Sequence, residues 1–200
     1  MNNSVIIGFY GLSNTGKTTL VTRLIKKLTE KKYNVASIKQ TTHSYSIDSP
    51  GKDTWKHARA GSDLVCFQTM VETSFIIKQE LPFGKIKEII SCIDDYDVIL
   101  VEGARDEHIQ KIRLDEKTPV RDNTAFTFDG DINKVISFIE KNVEGMRTMA
   151  KKVELVINGK RVPLSEFPEE FIKNTLFGMM TTLKGVDEDI ETMTLSISQK

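Results

Sequence analysis

Short apolar runs alternate with longer segments of helical spacing through about the first 140 residues of the chain. The short runs are rich in Val and Ile, which is typical of strands buried on both faces of a parallel sheet. In the longer segments apolar residues recur every three to four positions, which predicts helices with one buried face. The predicted strands are Ser4–Phe9, Tyr33–Lys39, Leu64–Met70, Thr73–Lys78, Asp97–Glu102 and Gln110–Leu114. The predicted helices are Thr18–Lys31, Thr54–Ala60, Pro82–Ile93 and Ile132–Asn142.

Three connections between these elements carry further information. Leu64–Met70 and Thr73–Lys78 are joined so tightly that they indicate an antiparallel hairpin. The segment Thr41–Asp53 is polar and contains Pro50-Gly51, which predicts a loop. The segment Asp115–Gly130 is only weakly patterned, and we assign it no element.

The pattern changes after Asn142. We predict a polar linker over residues 143–150, a hairpin of Val153–Ile157 and Lys160–Leu164 around Asn158-Gly159, a helix from Phe167 to Leu183, and a strand over Thr192–Ser198. The chain then consists of a first domain over residues 1–142 and a small α+β unit over 151–200. A unit of about 50 residues is marginally stable alone, so we expect it to pack on the first domain or on another copy.

Composition narrows the class of protein. Lys and Arg number 28, Asp and Glu also number 28, and the formal net charge is zero, which argues against a nucleic-acid binder. No apolar run approaches the roughly 20 residues that a membrane helix needs. The first residues, MNNSVIIGFYG, are too soon interrupted to form a signal peptide. We therefore expect a cytoplasmic protein with neither nucleic acid nor membrane as a partner.

The two cysteines lie in apolar surroundings, Cys66 between Val65 and Phe67 and Cys92 beside Ile93. Two cysteines exclude a disulfide scaffold, and this setting predicts two buried thiols in a reducing compartment. The three histidines of the chain lack metal-ligand spacing with either cysteine, which argues against a zinc site.

The strongest motif is the G-x-x-x-x-G-K-T sequence of Gly11–Thr18, between a predicted strand and a predicted helix. This is the context that a phosphate-binding P-loop requires. Its glycines let successive N–H groups point inward at phosphate oxygens, and the helix N-terminus adds a favourable dipole. Lys17 would supply a charge to the β- and γ-phosphates, and the Thr18 hydroxyl would bind Mg²⁺. The motif predicts an α/β fold of the P-loop NTPase type, three layers around a mainly parallel sheet.

A second ligand for the metal ion is expected at the end of a neighbouring strand. Val98–Val101 are four apolar residues, and Glu102 follows them at the carboxyl end of the predicted strand, where open α/β sheets bind ligands. Gly103 would let the backbone pass close to the γ-phosphate. The alternative is that Glu102 only caps the next element.

The loop from Lys39 to Asp53 adds charged candidates. If its strand is parallel to the first, the loop rises on the side of the P-loop, where Asp48 or Asp53 could reach Mg²⁺ and where Lys39 and Lys52 could meet a phosphate. The alternative is a solvated polar loop. Arg105 is a candidate for stabilising charge on the phosphates, and a surface arginine is the alternative reading.

Three segments together carry a resemblance to a known family. They are the P-loop, Val101-Glu102-Gly103, and a stretch from Lys39 through Asp48-Ser49-Pro50-Gly51-Lys52-Asp53 to Gly61. With these segments, roughly residues 4–140 of the chain resemble the molybdopterin-guanine dinucleotide biosynthesis protein B family. The D-x-P-G-K-D segment is the most specific of the three, since many families share a P-loop.

The resemblance implies GTP and Mg²⁺ binding, slow GTP hydrolysis, a homodimer, and assistance to the transferase that joins GMP to molybdopterin. It implies that Thr18 and Glu102 serve Mg²⁺ with help from Asp48 or Asp53, and that Lys39, His43, Lys52 and Lys111 lie near the mouth of the site. It also implies that the phosphates are held by Gly11, Leu12, Ser13, Asn14, Thr15, Gly16, Lys17, Thr18 and Thr19.

The chain departs from the family at several points, one of which is the short region Asp115–Gly130. The lysine is followed by Gln40, Thr41 and Thr42 before His43, where the family often has several histidines, and Glu102-Gly103 is followed by Ala104-Arg105 instead of Phe-Lys. An Asn-Lys-x-Asp motif for reading guanine is missing, so the preference for guanine rests on the resemblance alone.

Two hypotheses of function follow from different classes. The first is a slow GTPase that uses Lys17, Glu102 and Arg105 and acts as an accessory enzyme of molybdenum-cofactor maturation. We expect slow turnover because no residue is evident that orients the attacking water. The second is a non-catalytic, GTP-responsive adaptor for the transferase. A P-loop kinase or ligase acting on a small acid is a further alternative.

Overall fold

The computed structural model describes residues 4–150, 155–180 and 182–183. The first half of the chain forms β1 Val5–Tyr10, α1 Lys17–Glu30, β2 Val35–Lys39, α2 Asp53–Arg59, β3 Leu64–Gln68, β4 Thr73–Ile77 and α3 Phe83–Ile93. The second half forms β5 Val98–Glu102, β6 Gln110–Arg113, β7 Thr124–Thr127, α4 Ile132–Ala150, β8 Leu155–Ile157, β9 Lys160–Val162 and α5 Glu166–Met180. The chain divides into two compact units, Met1–Met146 and Arg147–Lys200.

The first unit is built on a five-stranded sheet in the order β2-β5-β1-β6-β7. All four strand pairs in this sheet are parallel. The carboxyl ends of parallel strands meet at one edge, so the residues that follow β1, β2, β5, β6 and β7 gather on the same side of the sheet. This is the α/β architecture that the alternation of strands and helices predicted.

The core lies on both faces of this sheet, as strands that are apolar all along require. One face packs against α1 and α4 through residues such as Leu24, Leu28, Val135 and Ile139, all of them fully buried. The other face is smaller and packs against α3. The result is the expected arrangement of three layers.

The hairpin of β3 and β4 forms a sheet of its own, with Leu64 opposite Ile77 and Gln68 opposite Thr73. The prediction of an antiparallel hairpin is confirmed. Only Val65 is buried on β3, whereas Leu64, Phe67 and Phe75 are exposed.

The expected burial of the two thiols is wrong, since both Cys66 and Cys92 are exposed. Cys66 lies on the hairpin face opposite to buried Val65 and pairs with exposed Phe75. Ile90 on α3 packs against the core. Cys92 is two residues further along the helix and therefore lies on a different face of it.

The boundaries differ from the sequence prediction in two places. Residues 143–150, expected as a linker, continue α4, because Val143 extends the buried stripe of Val135 and Ile139 by one more turn. Strand β7 lies in the segment without an assigned element, since its sequence Thr-Ala-Phe-Thr has little apolar signal.

The second unit contains the hairpin of β8 and β9 with Asn158 and Gly159 at its turn, both with positive φ, followed by α5. The hairpin and the helix agree with the sequence prediction. The predicted strand Thr192–Ser198 lies outside the described residues. In the part of the chain that is described, we find no helix with the length and apolar character needed to cross a bilayer.

Candidate functional site

The P-loop connects β1 to α1 at the carboxyl edge of the sheet. Gly16 precedes the helix with a φ of 82°, a left-handed conformation that favours glycine. The ammonium of Lys17 folds back across the loop and donates to the carbonyl oxygens of Gly11 at 3.0 Å and Leu12 at 2.5 Å. The sequence therefore forms the turn and the helix start that a phosphate-binding loop needs.

Asp115, directly after Leu114 and β6, fixes the start of the P-loop. One of its carboxylate oxygens accepts the backbone N–H of Leu12 at 3.0 Å and the hydroxyl of Thr118 at 2.7 Å. The other oxygen accepts the N–H of Thr118 at 2.8 Å. Hydrogen bonds from Thr118 and Leu12 outweigh desolvation and lower the pKa of the Asp115 carboxyl. Sequence reasoning missed this residue, because a lone Asp in an unpatterned segment carries no signal.

Glu102 meets the P-loop helix through Thr18. The Thr18 hydroxyl donates to Oε1 of Glu102 at 2.6 Å, and the ammonium of Lys39 lies 3.4 Å from the same oxygen. The strand register brings these side chains together. Lys39 on β2 and Phe9 on β1, the strand that leads into the P-loop, both pair with Glu102 on β5. The side chain of Glu102 is 12% exposed.

The Thr18–Glu102 pair has oxygen atoms of the kind that Mg²⁺ binds. This ion prefers oxygen ligands at 2.0–2.1 Å in an octahedron, so that adjacent ligand oxygens lie about 2.9 Å apart. The hydroxyl and carboxylate oxygens here have the right chemistry and a similar separation, 2.6 Å. Among the described residues, no group of three His, Cys, Asp or Glu side chains comes together to hold a metal ion. The chemistry and the separation of these two oxygens fit two of the ligands that a Mg²⁺ ion takes.

The loops after β2 and β5 are joined next to this pair. The Gln40 N–H donates to the carbonyl of Glu102 at 2.8 Å, and the Gln40 side chain accepts the N–H of Arg105 at 3.1 Å. Gly103 has a φ of 80°, and a Cβ there would collide with the backbone oxygen of Gln40. Glycine is required at 103 for this close approach of the two loops. The Gly103 N–H itself donates to the carbonyl oxygen of Phe9 at 2.8 Å, and the expected proximity of this backbone to the γ-phosphate stays a prediction.

Arg105 contacts the loop after β2. Its guanidinium donates to the carbonyl of Thr41 and lies 4.0 Å from the carboxylate of Glu80. Its contacts in the described structure thus join it to the neighbouring loop and to the segment after β4. A catalytic role for Arg105 stays a prediction.

Comparisons with known proteins decide the family. The family model of molybdopterin guanine dinucleotide synthesis protein B, MobB, matches residues 6–140. The chain belongs to this family. The Escherichia coli K12 molybdopterin-guanine dinucleotide biosynthesis adapter protein is 32% identical over 157 residues, which cover 70% of this chain and 88% of that protein.

Two further similarities extend the comparison. A Methanocaldococcus jannaschii protein, also named for molybdopterin-guanine dinucleotide biosynthesis, is 26% identical over 224 residues, covering 91% of this chain and 93% of that protein. That share of the chain is too large to fall within the first unit alone, so the similarity extends into the second. The crystal structure of Bacillus subtilis MobB has a TM-score of 0.53 at 18% identity and covers 66% of this chain and 96% of that chain, which shows the shared fold.

Asp48 lies in the D-x-P-G-K-D segment by which the chain resembles the MobB family. Its side chain is 3% exposed, accepts the Thr54 hydroxyl at 2.8 Å and pairs with the ammonium of Lys78 at 3.0 Å. Burial opposes ionisation, but the hydrogen bonds from Lys78 and Thr54 outweigh it and lower the pKa of the Asp48 carboxyl. These contacts tie the loop after β2 to the end of β4, and a role in metal binding stays a prediction.

Asp53 and Lys52 lie at the start of α2. Asp53 pairs with Lys56 at 2.9 Å one turn along the helix, and this hydrogen bond lowers the pKa of its carboxyl. Lys52 precedes the helix and is exposed. Neither residue has a described contact with the P-loop, so their expected roles toward Mg²⁺ and phosphate stay predictions.

The MobB resemblance also implied two residues near the mouth of the site. His43 is exposed and stacks on Tyr45, with ring centroids 6.4 Å apart. Lys111 is 1% exposed, and its expected place near the mouth of the site stays a prediction. It donates to the backbone oxygens of Ile109 at 3.1 Å and Asp122 at 3.0 Å. Lys111 therefore joins the segments on either side of β6 from inside the fold.

Proposed function

We propose that this MobB-family chain binds GTP together with Mg²⁺ and acts as an adapter in the attachment of GMP to molybdopterin. One observation carries the proposal: the P-loop and the carboxylate of Glu102 meet through the hydroxyl of Thr18 at 2.6 Å. That arrangement supports a site in which a phosphate-binding loop and two Mg²⁺ ligands would act together. The names of the relatives from Escherichia coli and Methanocaldococcus jannaschii support the pathway, the GMP-bearing product and the choice of guanine.

The phosphates would lie along the N–H groups of the P-loop, at the N-terminus of α1. Lys17, whose ammonium now bonds the carbonyls of Gly11 and Leu12, would donate to the β- and γ-phosphates instead. Mg²⁺, held by Thr18 and Glu102, would neutralise phosphate charge. Asp115 would hold the start of the loop through Leu12 while these contacts form.

Hydrolysis of the bound GTP is the enzymatic part of the proposal. A water oxygen would bond to the γ-phosphorus as the bond from that phosphorus to the bridging oxygen breaks, which gives GDP and phosphate. Lys17 would stabilise the charge that develops on the phosphates. We expect slow turnover, because a residue that orients the water is not evident among the described side chains around Thr18 and Glu102.

The contacts of Arg105 favour the second candidate, a GTP-responsive adaptor in which hydrolysis is incidental. Arg105 is the cation expected to stabilise the phosphates, but it bonds the carbonyl of Thr41 and approaches Glu80. In this role the bound nucleotide would change the conformation of the loops after β2 and β5, which Gln40 joins. The transferase would recognise that conformation. The proposed partners, the transferase and molybdopterin, are the same in both candidates.

The test compares nucleotides and variants. Thermal unfolding with Mg²⁺ and either GTP, ATP or molybdopterin is expected to show stabilisation by GTP, since a ligand that binds the native state raises the Tm. Stabilisation by ATP alone, with phosphate transfer from ATP to a small acid, would favour a P-loop kinase or ligase instead.

Glu102→Gln separates the two candidates. If Glu102→Gln abolishes GTP hydrolysis and leaves the stimulation of GMP transfer intact, the adaptor role is supported. If both are lost together while GTP still binds, hydrolysis is part of the function. Glu88→Gln, at an exposed ion pair with Lys85 on α3, is the matched control and is expected to change neither activity.

We also propose a homodimer, supported by the hairpin of β3 and β4. A two-stranded hairpin is marginally stable alone, and this one exposes Leu64, Phe67 and Phe75. A second copy that covered these side chains would stabilise it. Phe75→Ser is expected to shift the molar mass measured by light scattering from dimer to monomer. An unchanged mass would exclude the hairpin as the interface and leave the second unit, Arg147–Lys200, as the expected site of self-association.

A further inference from the structure

We propose that Lys39 and the divalent cation compete for one oxygen of Glu102, so that Lys39 sets how tightly the site holds its metal ion. The inference rests on the proposed function and deepens it, because it names a residue that regulates metal binding. Lys39 and Glu102 are register partners on neighbouring parallel strands, so the fold itself holds the two side chains together.

The shared atom is Oε1 of Glu102. It accepts the Thr18 hydroxyl at 2.6 Å and lies 3.4 Å from the Lys39 ammonium. A metal ion held by Thr18 and Glu102 would need the same oxygen or its immediate neighbour. The ammonium of Lys39 thus lies beside the place that the cation would take.

Electrostatic repulsion makes the two cations exclude each other. An ammonium and a divalent ion a few ångströms apart repel about twice as strongly as two single charges. Lys17 does not take part in this competition, since its ammonium is bound to the carbonyls of Gly11 and Leu12. Binding of one cation at Glu102 therefore weakens the binding of the other.

Burial decides which partner moves. The side chain of Glu102 is 12% exposed and fixed by its hydrogen bond to Thr18, whereas Lys39 is 59% exposed on a long flexible stem. An exposed ion pair contributes little stability, so Mg²⁺ displaces Lys39 at a small but real cost. The protein without nucleotide therefore has a lower affinity for Mg²⁺. The negative charge of a bound nucleotide raises that affinity again.

The test is a Mn²⁺ titration followed by electron paramagnetic resonance, on the whole protein with and without GDP. Lys39→Met removes the competing charge and is expected to lower the Kd for Mn²⁺ by about threefold, because the metal ion no longer has to displace an ammonium from Glu102. Lys39→Arg keeps the charge and is expected to restore weak binding. Lys26→Met, at an exposed lysine of α1, is the matched control and is expected to leave the Kd unchanged.

A double-mutant cycle shows whether the effect passes through Glu102. In the Glu102→Gln background, Lys39→Met is expected to have no effect on Mn²⁺ binding, because the shared charged oxygen is gone. An unchanged or higher Kd for Mn²⁺ in Lys39→Met with Glu102 present would overturn the proposal. So would an equal effect of Lys39→Met in both backgrounds.

Binding of GDP in the presence of EDTA distinguishes this inference from the proposed function. If Lys39 acts only on the metal site, Lys39→Met retains the wild-type affinity for GDP without metal. A loss of GDP affinity there would make Lys39 a phosphate ligand and overturn the inference. If the wild-type protein binds no guanine nucleotide at all, the proposed function fails, and the titration without GDP still decides the competition at Glu102.

Discussion

The carboxylate of Asp115 accepts the backbone N–H of Leu12 at 3.0 Å and so ties the loop after β6 to the first turn of the P-loop. The same carboxylate is held by Thr118 through the backbone N–H and the hydroxyl. A Cβ atom at Gly11 would lie only 2.7 Å from Oδ2 of Asp115, which shows how closely the two loops approach. The shape of the P-loop therefore depends on a side chain more than one hundred residues away in the chain.

Asp115→Asn is expected to weaken GTP binding by about tenfold, because an amide cannot replace all the acceptors of a carboxylate and a charge-assisted bond to the Leu12 N–H is lost. Isothermal titration calorimetry with Mg²⁺ measures the change. Asp63→Asn, at an exposed position before β3, is the control and is expected to bind GTP like the wild type. Equal affinities of Asp115→Asn and wild type would show that the tie does not support the P-loop.

The lowered pKa of Asp115 predicts a dependence of stability on pH. A carboxyl whose pKa is lower in the folded protein adds stability above its unfolded pKa of about 3.9, and that stability is lost as the pH falls through the folded pKa. The Tm of the wild type is therefore expected to exceed that of Asp115→Asn at pH 7 and to converge with it below about pH 4. A Tm difference that stays constant down to pH 3 would contradict this assignment.

Gly103→Ala tests the close approach of the loops after β2 and β5. The left-handed φ and the collision of a Cβ with the Gln40 carbonyl are expected to cost about 3 kcal/mol of unfolding free energy. Urea denaturation measures the loss. Gly84→Ala, near the start of α3, has open space around its Cβ position and is expected to show no loss. Similar stabilities of both variants would mean that the two loops do not need glycine at 103.

Local sequence patterns were sufficient for four of the five strands of the sheet and for the P-loop. Val98–Val101 are apolar throughout because their strand is buried on both faces, and this pattern also predicted that Glu102 would follow at the carboxyl edge. The order of the five strands and the register of Lys39 with Glu102 depend on the whole fold, and no local pattern contains them.

Side-chain environments were harder to predict than elements. Cys66 has apolar neighbours in the chain but lies on the uncovered face of a two-stranded hairpin, and Lys111 is charged but fully buried among backbone carbonyls. Asp48 is almost fully buried against Thr54 and Lys78, and its role toward Mg²⁺ stays a prediction. In each case tertiary neighbours decide the environment, and residues adjacent in the sequence do not reveal them.

The central claim is that the P-loop binds the phosphates of GTP through Lys17, and calorimetric titration of wild type and Lys17→Ala with GTP and Mg²⁺ tests it most directly. Loss of the ammonium removes charge-assisted hydrogen bonds to the phosphates, so the affinity is expected to fall by about a hundredfold or more. Lys26→Ala, the control on the same helix, is expected to bind like the wild type. An affinity for GTP that is the same in Lys17→Ala and wild type would contradict the account.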